Sequence, residues 1–364
     1  MNFHGGQFKQ KGLYDFSVNI PNTPYDQDYM ECLKQNIENL MEYPEIDGIS
    51  GRLAISKVVK CSPDDIVLGN GATDLIYLST RALKLKNVMI VNPTFTEYAR
   101  ALLQSGSQVT NYLLTERQCN QTMGYGLEIS DLVKTIVDNG CDGLFMCNPN
   151  NPTGTFFDAL FFQTLYKTLE DNANIDLDKF VLIIDESFIE FKSRETYHQN
   201  MRRLMERQNI LFIRSMTKTY SVPGLRLGYA FGNPKVIERV AHMREPWALN
   251  RFALDSIPYF LSKKNYLNTL QSRTHLLRSK LHAQLLAFEK ISIADSETNY
   301  LLIKVDVQAP QHWHNRLIEK GFYLRTCLDF VGLGPQYFRI AIKDVEINQK
   351  LINAIGEIEH ETQL

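Results

Sequence analysis

The sequence predicts an α/β fold, with a three-layer large domain built on a mainly parallel sheet and a smaller α+β domain. Short apolar runs alternate with helical patterns over residues 45–245, as in a parallel sheet covered on both faces. The pattern changes after Asn250, and 364 residues accommodate about two domains. The predicted boundaries are 1–44 for an N-terminal arm and helix, 45–250 for the large domain and 251–364 for the small domain.

Within the large domain, short apolar runs predict strands and periodic apolar patterns predict helices. Phe180–Ile184 is one of the most apolar runs and suits the centre of the sheet. The strands are predicted at Val88–Val91, Val109–Leu114, Gly143–Cys147, Phe180–Ile184 and Ile210–Ile213. The helices are predicted at Glu97–Gln104, Leu127–Val137 and Leu160–Glu170.

The small domain is predicted to begin with one long helical stretch, Phe252–Glu289. The strands predicted after it are Tyr300–Val305, Phe322–Arg325 and Phe338–Ile342, and the helices are His312–Glu319 and Asn348–Ile358. The N-terminal arm contains Pro21 and Pro24 and little periodicity. We expect it to pack on the small domain and on the other subunit of a dimer.

The composition excludes several classes of protein. The formal charge of −2 gives no basic surface for nucleic acid or an anionic membrane, and no apolar stretch is long enough to span a bilayer. The six cysteines show no CxxC and no zinc-ligand spacing, so we expect reduced thiols, no metal and a cytoplasmic protein. Cys327 is predicted to be a bystander near the site described next.

Two loops of the large domain combine glycine, asparagine and proline after predicted strands. Gly69–Asp74 lies between an apolar run and a helical pattern, where glycines permit close approach of a ligand and free N–H groups favour an anion. Asn148–Gly154 follows the strand that ends at Cys147, and two prolines stiffen it. It is either a polar turn or a rigid loop that presents an amide to a ligand.

Charged residues follow the next two strands. Asp185 comes directly after the buried run Phe180–Ile184, and a carboxylate there needs a cationic or N–H partner. Lys218 follows a strand, and Arg226 lies eight positions further on. A desolvated lysine near another cation has a lowered pKa and becomes a nucleophilic amine.

The order of these four features resembles the class I/II aminotransferases, which are fold-type I enzymes dependent on pyridoxal 5'-phosphate (PLP), and the resemblance covers nearly the whole chain. It implies that Lys218 forms a Schiff base with the cofactor and moves the proton at the substrate α-carbon. It implies that Asp185 pairs with the pyridinium nitrogen, which makes the ring an electron sink. Asn151 would donate to the 3-oxygen of the ring. Phe95 would stack on the ring, with Tyr98 as the alternative.

The resemblance also implies how the ends of the cofactor and substrate are held. The residues that would hold the cofactor phosphate are Ala72, Thr73, Ser215, Thr217 and Arg226. Tyr43 would reach that phosphate from the other subunit, which predicts a homodimer with a shared active site. Arg339 would bind the substrate α-carboxylate through two hydrogen bonds.

Within the family, Asp185-Glu-Ser-Phe188 departs from the Asp-Glu-Ala-Tyr that is typical of histidinol-phosphate aminotransferases. Phe188, the stretch Phe95–Gly106 and the N-terminal arm resemble the threonine-phosphate decarboxylases of the cobalamin pathway. That resemblance implies a lyase that decarboxylates L-threonine O-3-phosphate. The substrate phosphate would be gripped by His4, Asn19 and Arg325, with Arg339 nearby.

Alternatives remain open at this point. Ile20–Pro24 departs from the Asn-Pro-Leu-Gly turn that these families commonly carry. Phosphoserine or a phosphono amino acid therefore remains a candidate substrate. Aminotransfer between histidinol phosphate and 2-oxoglutarate is the alternative reaction.

Overall fold

The computed structural model describes residues 5, 6, 12–21, 27–172, 174–192, 195–263 and 265–361. Helices cover much of this part of the chain. They are α1 Gln27–Gln35, α2 Ile49–Val59, α3 Ala72–Leu83, α4 Glu97–Gln104, α5 Ile129–Asp138, α6 Ala159–Glu170, α7 Glu195–Met205, α8 Met216–Thr219, α9 Pro234–His242, α10 Arg251–Ser262, α11 Tyr266–Leu285, α12 Pro310–Glu319 and α13 Val345–Glu361. Four of them, α4, α5, α6 and α12, agree within two residues with predicted helices. None of these described helices is both long enough and apolar enough to cross a membrane.

The strands form two large sheets and one short pairing. They are β1 Tyr14–Asp15, β2 Ile66–Gly69, β3 Asn87–Asn92, β4 Gln108–Leu113, β5 Thr115–Cys119, β6 Thr122–Gly126, β7 Gly143–Cys147, β8 Val181–Asp185, β9 Ile210–Ser215, β10 Gly228–Gly232, β11 Ile291–Ala294, β12 Tyr300–Val305, β13 Phe322–Tyr323, β14 Arg325–Thr326 and β15 Tyr337–Ala341. The seven-stranded sheet has the order β2-β10-β9-β8-β7-β3-β4. Only β10 in it runs antiparallel to its neighbours.

The three layers of the large domain follow from the alternation of side chains along buried strands. Every residue of β7, β8 and β9 is buried. Along β8, Val181 and Ile183 contribute to the hydrophobic cluster that contains α3 and α9. Leu182 and Ile184 contribute to the opposite cluster, which contains α5 and α6. The predicted α/β three-layer architecture is therefore confirmed.

The six-stranded sheet of the small domain has the order β14-β15-β12-β11-β6-β5. Its last two strands come from residues 115–126, inside the range predicted for the large domain. The hairpin joins the sheet through parallel pairing of β6 with β11. The chain passes directly from β4, at the edge of the large sheet, into β5, so the two sheets are linked there as well as near residue 250.

Two predicted elements are wrong in detail. The stretch 252–289 is two helices, because Lys263 leaves the helical conformation and Asn265 adopts a left-handed one with φ of 66°. The stretch 322–325 is two short strands that pair with different partners. Phe322–Tyr323 pairs with the N-terminal Tyr14–Asp15, and Arg325–Thr326 pairs with β15.

The described part of the N-terminal arm is docked on the small domain. Phe16 is fully buried, and its N–H donates to Tyr323 O at 2.8 Å. The arm then continues along the cleft between the domains, where Asn299 Nδ2 donates to Asn19 O at 2.9 Å. His4, predicted to bind the substrate phosphate, lies outside the described residues.

Candidate active site

A cleft of about 340 Å³ opens at the carboxyl ends of β8 and β9, between the large sheet, the small domain and the arm. This is the edge of a parallel sheet at which ligands bind. The cleft brings together twelve of the predicted site residues. They are Asn19, Ala72, Thr73, Phe95, Asn151, Asp185, Ser215, Thr217, Lys218, Arg226, Arg325 and Arg339.

One end of the cleft has the features of an anion site. Ala72 and Thr73 form the first turn of α3, whose free N–H groups favour a negative charge. Gly71, with φ of +85°, precedes them, and a Cβ there would lie 2.3 Å from Arg226 Nη2. Glycine thus allows the arginine to lie against the start of the helix. Ser215 Oγ and Thr217 Oγ1 are 2.8 Å apart and add two hydroxyl groups to this end.

Lys218 lies in the middle of the cleft. Its Nζ is 4.0 Å from the centroid of the Phe188 ring, which excludes water from that side. Burial lowers the pKa of the Lys218 amine, while the charge of Asp185 acts in the opposite direction. The apolar environment therefore favours a neutral, nucleophilic amine.

Asp185 is buried and held by two donors. Its Oδ1 accepts from Ser187 N at 2.8 Å, and its Oδ2 accepts from Tyr98 Oη at 2.7 Å. Burial, and then the charge of Asp185, raise the pKa of Tyr98, so its hydroxyl remains a donor. Tyr98 stacks on Phe145 with centroids 4.1 Å apart, whereas Phe95 lines the cleft. This geometry favours Phe95 over Tyr98 as the stacking residue.

Asn151 and Arg339 are joined across the domain boundary. Arg339 Nη1 donates to Asn151 Oδ1 at 2.5 Å, which leaves the Asn151 amide group free to donate to a ligand. Arg339 Nη2 donates to Ser17 O in the arm at 2.8 Å. Arg339 Nε is buried without a hydrogen-bond partner among the described residues, as expected of a side chain that binds an anion.

Two other predicted features lie differently. Tyr43 does not line this cleft: its side chain is 81% exposed and packs against Trp247, with centroids 5.3 Å apart. Cys327 is fully buried, and burial raises the pKa of its thiol to about 12. It is therefore protonated and unreactive at neutral pH, in agreement with its predicted bystander role. All six cysteines are free.

The cleft also contains residues that the sequence did not single out. Glu97 and Phe330 line it, together with Gly5, Ser17, Val18 and Ile20 of the arm. Glu97 is two positions after Phe95. This closeness to a predicted site residue was the only feature of the sequence that could have indicated Glu97.

A nucleophilic lysine, a buried carboxylate and a helix start beside an arginine recur together in one enzyme family. The family model "Aminotransferase class I and II" matches residues 12–355. The chain belongs to the class I and II aminotransferase family. Enzymes of this family are dependent on PLP, and the cleft described above fits that cofactor. It offers an amine for the aldehyde, a carboxylate for the pyridinium, and N–H, hydroxyl and guanidinium groups for the phosphate.

Relatives within the family fall into two groups. The chain is 29% identical to a putative threonine-phosphate decarboxylase of Caldanaerobacter subterraneus, over 87% of this chain and 83% of the relative. It is 28% identical to the threonine-phosphate decarboxylase of Salmonella typhimurium, over 98% and 96%. It is 26% identical to a histidinol-phosphate aminotransferase of Methanococcus maripaludis, over 90% and 85%.

Solved structures of the family show the same fold. The histidinol-phosphate aminotransferase from Clostridium acetobutylicum superposes with a TM-score of 0.84 at 25% identity, over 95% of this chain and 99% of that one. The L-threonine-O-3-phosphate decarboxylase from Porphyromonas gingivalis superposes with a TM-score of 0.79 at 22% identity, over the same shares. A PLP complex of the histidinol-phosphate aminotransferase from Sinorhizobium meliloti gives 0.80 at 16% identity, over 95% and 90%. The protein is thus a PLP-dependent enzyme of the decarboxylase or aminotransferase type.

Proposed function

We propose that this enzyme decarboxylates L-threonine O-3-phosphate, or a close phosphorylated amino acid, to an amino-alcohol phosphate. One observation carries the proposal. Arg325 and Arg339 face each other on adjacent strands and both line the cleft that contains Lys218. Two arginines beside a reactive amine suit a substrate that carries an amine, a carboxylate and a phosphate at the same time. The similarity to two threonine-phosphate decarboxylases along most of the chain supports the same reading.

Each residue of the cleft would have a separate role in holding the cofactor or the substrate. PLP, when bound, withdraws electrons from the bond that breaks at the substrate α-carbon. Asp185 would keep the pyridine nitrogen protonated, Asn151 would donate to the 3-oxygen, and Phe95 would stack on the ring. The phosphate would be held by Ala72, Thr73, Ser215, Thr217 and Arg226, and by Tyr43 of the partner subunit. The substrate would be held by Asn19, Arg325 and Arg339.

Decarboxylation breaks the bond between the α-carbon and the carboxylate, and carbon dioxide leaves. Lys218 would then deliver a proton to the α-carbon from its amine, which lies above the Phe188 ring. An aminotransferase moves the α-proton with the same lysine and needs a keto acid to complete its cycle. The two reactions would differ in which bond of the substrate α-carbon the arginine pair holds in position to break.

A second candidate is aminotransfer between histidinol phosphate and 2-oxoglutarate. It is favoured by the fit to the Clostridium acetobutylicum structure, whose TM-score of 0.84 exceeds that of the decarboxylase from Porphyromonas gingivalis. Histidinol phosphate has no carboxylate, so one arginine would be left without an anion while it is bound. Phe188 also lacks the hydroxyl that a tyrosine would present at this position.

Product analysis separates the two reactions. PLP-loaded enzyme is offered L-threonine phosphate alone, L-serine phosphate alone, or histidinol phosphate with 2-oxoglutarate. Carbon dioxide release without a keto acid supports the decarboxylase, and the faster phosphoamino acid identifies the substrate. Glutamate formation without carbon dioxide would support the aminotransferase and reject the proposal.

A further inference from the structure

The register of the small-domain sheet places two buried positive charges next to each other at the cleft. Arg325 of β14 lies directly opposite Arg339 of β15, and each residue is only 5% exposed. Like charges that face each other across a sheet are destabilising, and a buried charge needs a partner of opposite sign. Among the described residues, Asp329 provides the one carboxylate that is ion-paired with either arginine.

Asp329 contacts Arg325 from outside the cleft. Its Oδ2 accepts from Arg325 Nη2 at 2.7 Å, while Arg325 Nη1 donates to the Thr326 carbonyl. The Arg325 guanidinium also lies 5.2 Å from the centroid of the Phe330 ring. Arg325 and Phe330 line the cleft and Asp329 does not. The carboxylate thus compensates the arginine without occupying the space of a ligand.

The turn that carries Asp329 fixes this arrangement. Cys327 N donates to Tyr337 O, and Phe330 N donates to Cys327 O, both at 3.1 Å. The first bond ties the turn to β15, the strand of Arg339, and the second lies within the turn itself. Asp329 Oδ1 is buried and has no hydrogen-bond partner among the described residues, so Arg325 is the one described side chain that donates a hydrogen bond to this carboxylate. The charge of Asp329 also acts on Arg339.

We propose that Asp329 is the built-in counter-ion of the Arg325–Arg339 pair and that it lowers the affinity of the cleft for a phosphate group. The inference rests on the proposed function, in which Arg325 binds the substrate phosphate. Substrate and product both carry this phosphate, so a grip that is too strong would retain the product. An interaction that binds substrate and transition state equally tightly lowers KM without raising kcat. A carboxylate beside the guanidinium weakens the binding of the phosphate in substrate and product alike, and this allows the product to be released.

Asp329→Asn separates charge from hydrogen bonding, because the amide oxygen still accepts from Arg325. We expect PLP-loaded D329N to bind inorganic phosphate about tenfold more tightly than the wild type in calorimetric titration. KM for L-threonine phosphate falls by a similar factor, and kcat stays equal or falls. Asp329→Glu keeps the charge and retains wild-type affinity. The double variant R325M/D329N loses the gain, because the guanidinium that Asp329 screens is gone.

A matched control is Asp138→Asn, which removes a carboxylate from the exposed pair of Asp138 with Lys134 on α5 and leaves phosphate binding unchanged. The inference is overturned if D329N binds phosphate no more tightly than the wild type does. Thermal unfolding must first show that the variant is folded. If the wild type turns over no phosphorylated amino acid, the proposed function fails. The phosphate titrations then still decide the role of Asp329.

Discussion

At the scale of single residues, the proposed role of Lys218 makes the protonation of its amine decide when the cleft can bind PLP covalently. Burial lowers the pKa of its amine, so the neutral form is present at lower pH than for a lysine in water. The rate at which cofactor-free enzyme develops the visible absorbance of lysine-linked PLP should rise with pH, with a midpoint below the ordinary lysine pKa of 10.5. Lys218→Ala should show no such band. A midpoint at or above 10.5 would contradict the assigned environment.

Tyr98 offers a second test at this scale. Its hydroxyl donates to Asp185, so Tyr98→Phe leaves a buried carboxylate with one donor fewer. We expect a loss of about 1–3 kcal/mol in the free energy of unfolding, together with weaker PLP binding.

Tyr166→Phe is the matched control for that variant. The Tyr166 hydroxyl is equally buried but has no hydrogen-bond partner among the described residues. Removing it should leave the free energy of unfolding unchanged or raise it. Equal destabilisation by both substitutions in urea denaturation would show that the bond to Asp185 contributes nothing.

At the scale of elements, a buried ion pair joins the ends of β8 and β9 beneath the cleft. Glu186 Oε2 is 2.7 Å from Arg214 Nη2, and Glu186 Oε1 accepts from Tyr197 Oη at 2.8 Å. Glu186 follows Asp185, and Arg214 precedes Ser215, so the pair aligns the two strand ends that carry site residues. It lies on the face of the sheet away from the cleft, because successive side chains alternate.

Removing Arg214 leaves the Glu186 charge buried and unpaired, whereas removing Glu186 leaves the buried Arg214, among the described carboxylates, only the more distant Glu190, at 3.5 Å. Glu186→Gln or Arg214→Met should each reduce the free energy of unfolding by about 3–5 kcal/mol. The double variant should lose less than the sum of the two, because neither charge is then left alone. Additive losses in a double-mutant cycle of urea denaturation would show that the pair is not coupled.

The same scale shows which elements the sequence could predict. β7, β8 and β9 are continuous apolar runs because both faces are covered, and their bounds were predicted within about two residues. The β5–β6 hairpin was missed because β5 is an exposed edge strand without alternating apolar residues. The break at Lys263–Asn265 contains no glycine and no proline. Its one helix-end signal is Asn265, which adopts the left-handed conformation and was not recognised in the sequence.

At the scale of the whole molecule, apolar side chains near the start of the large domain are left uncovered in a single chain. Met41 is 90% exposed and Tyr43 81%, and Ile37, Leu40 and Ile46 are each more than half exposed. Large exposed apolar side chains that lie this close together in the chain favour a protein interface. It agrees with the predicted homodimer in which Tyr43 serves the site of the partner subunit.

Subunit complementation tests that arrangement. Lys218→Ala and Tyr43→Phe are each expected to reduce activity strongly. Mixed dimers should regain activity, because one of their two sites then combines an intact Lys218 with an intact Tyr43 from the other chain. The matched control is a mixture of Lys218→Ala with Asp185→Asn, two residues of the same cleft, so that each site of the mixed dimer carries one defect and no activity should return. Recovery with the Tyr43 variant that is no greater than in this control would show that Tyr43 does not act across the interface.

The whole-molecule view also shows why the site could be predicted only in part. Lys218, Asp185 and Asn151 follow consecutive buried strands, so their meeting at one sheet edge could be read from the chain. The direct opposition of Arg325 and Arg339 depends on strand register, and that register is set by pairing across residues that the sequence does not relate.

The most direct test of the account is the fate of the substrate carboxylate. PLP-loaded enzyme is incubated with L-threonine phosphate labelled in its carboxyl carbon, without any keto acid. The account predicts release of labelled carbon dioxide and an equal amount of an aminopropanol phosphate. Retention of the label in the amino acid would contradict it, and so would glutamate formation from histidinol phosphate and 2-oxoglutarate in a parallel incubation without any release of label in the first.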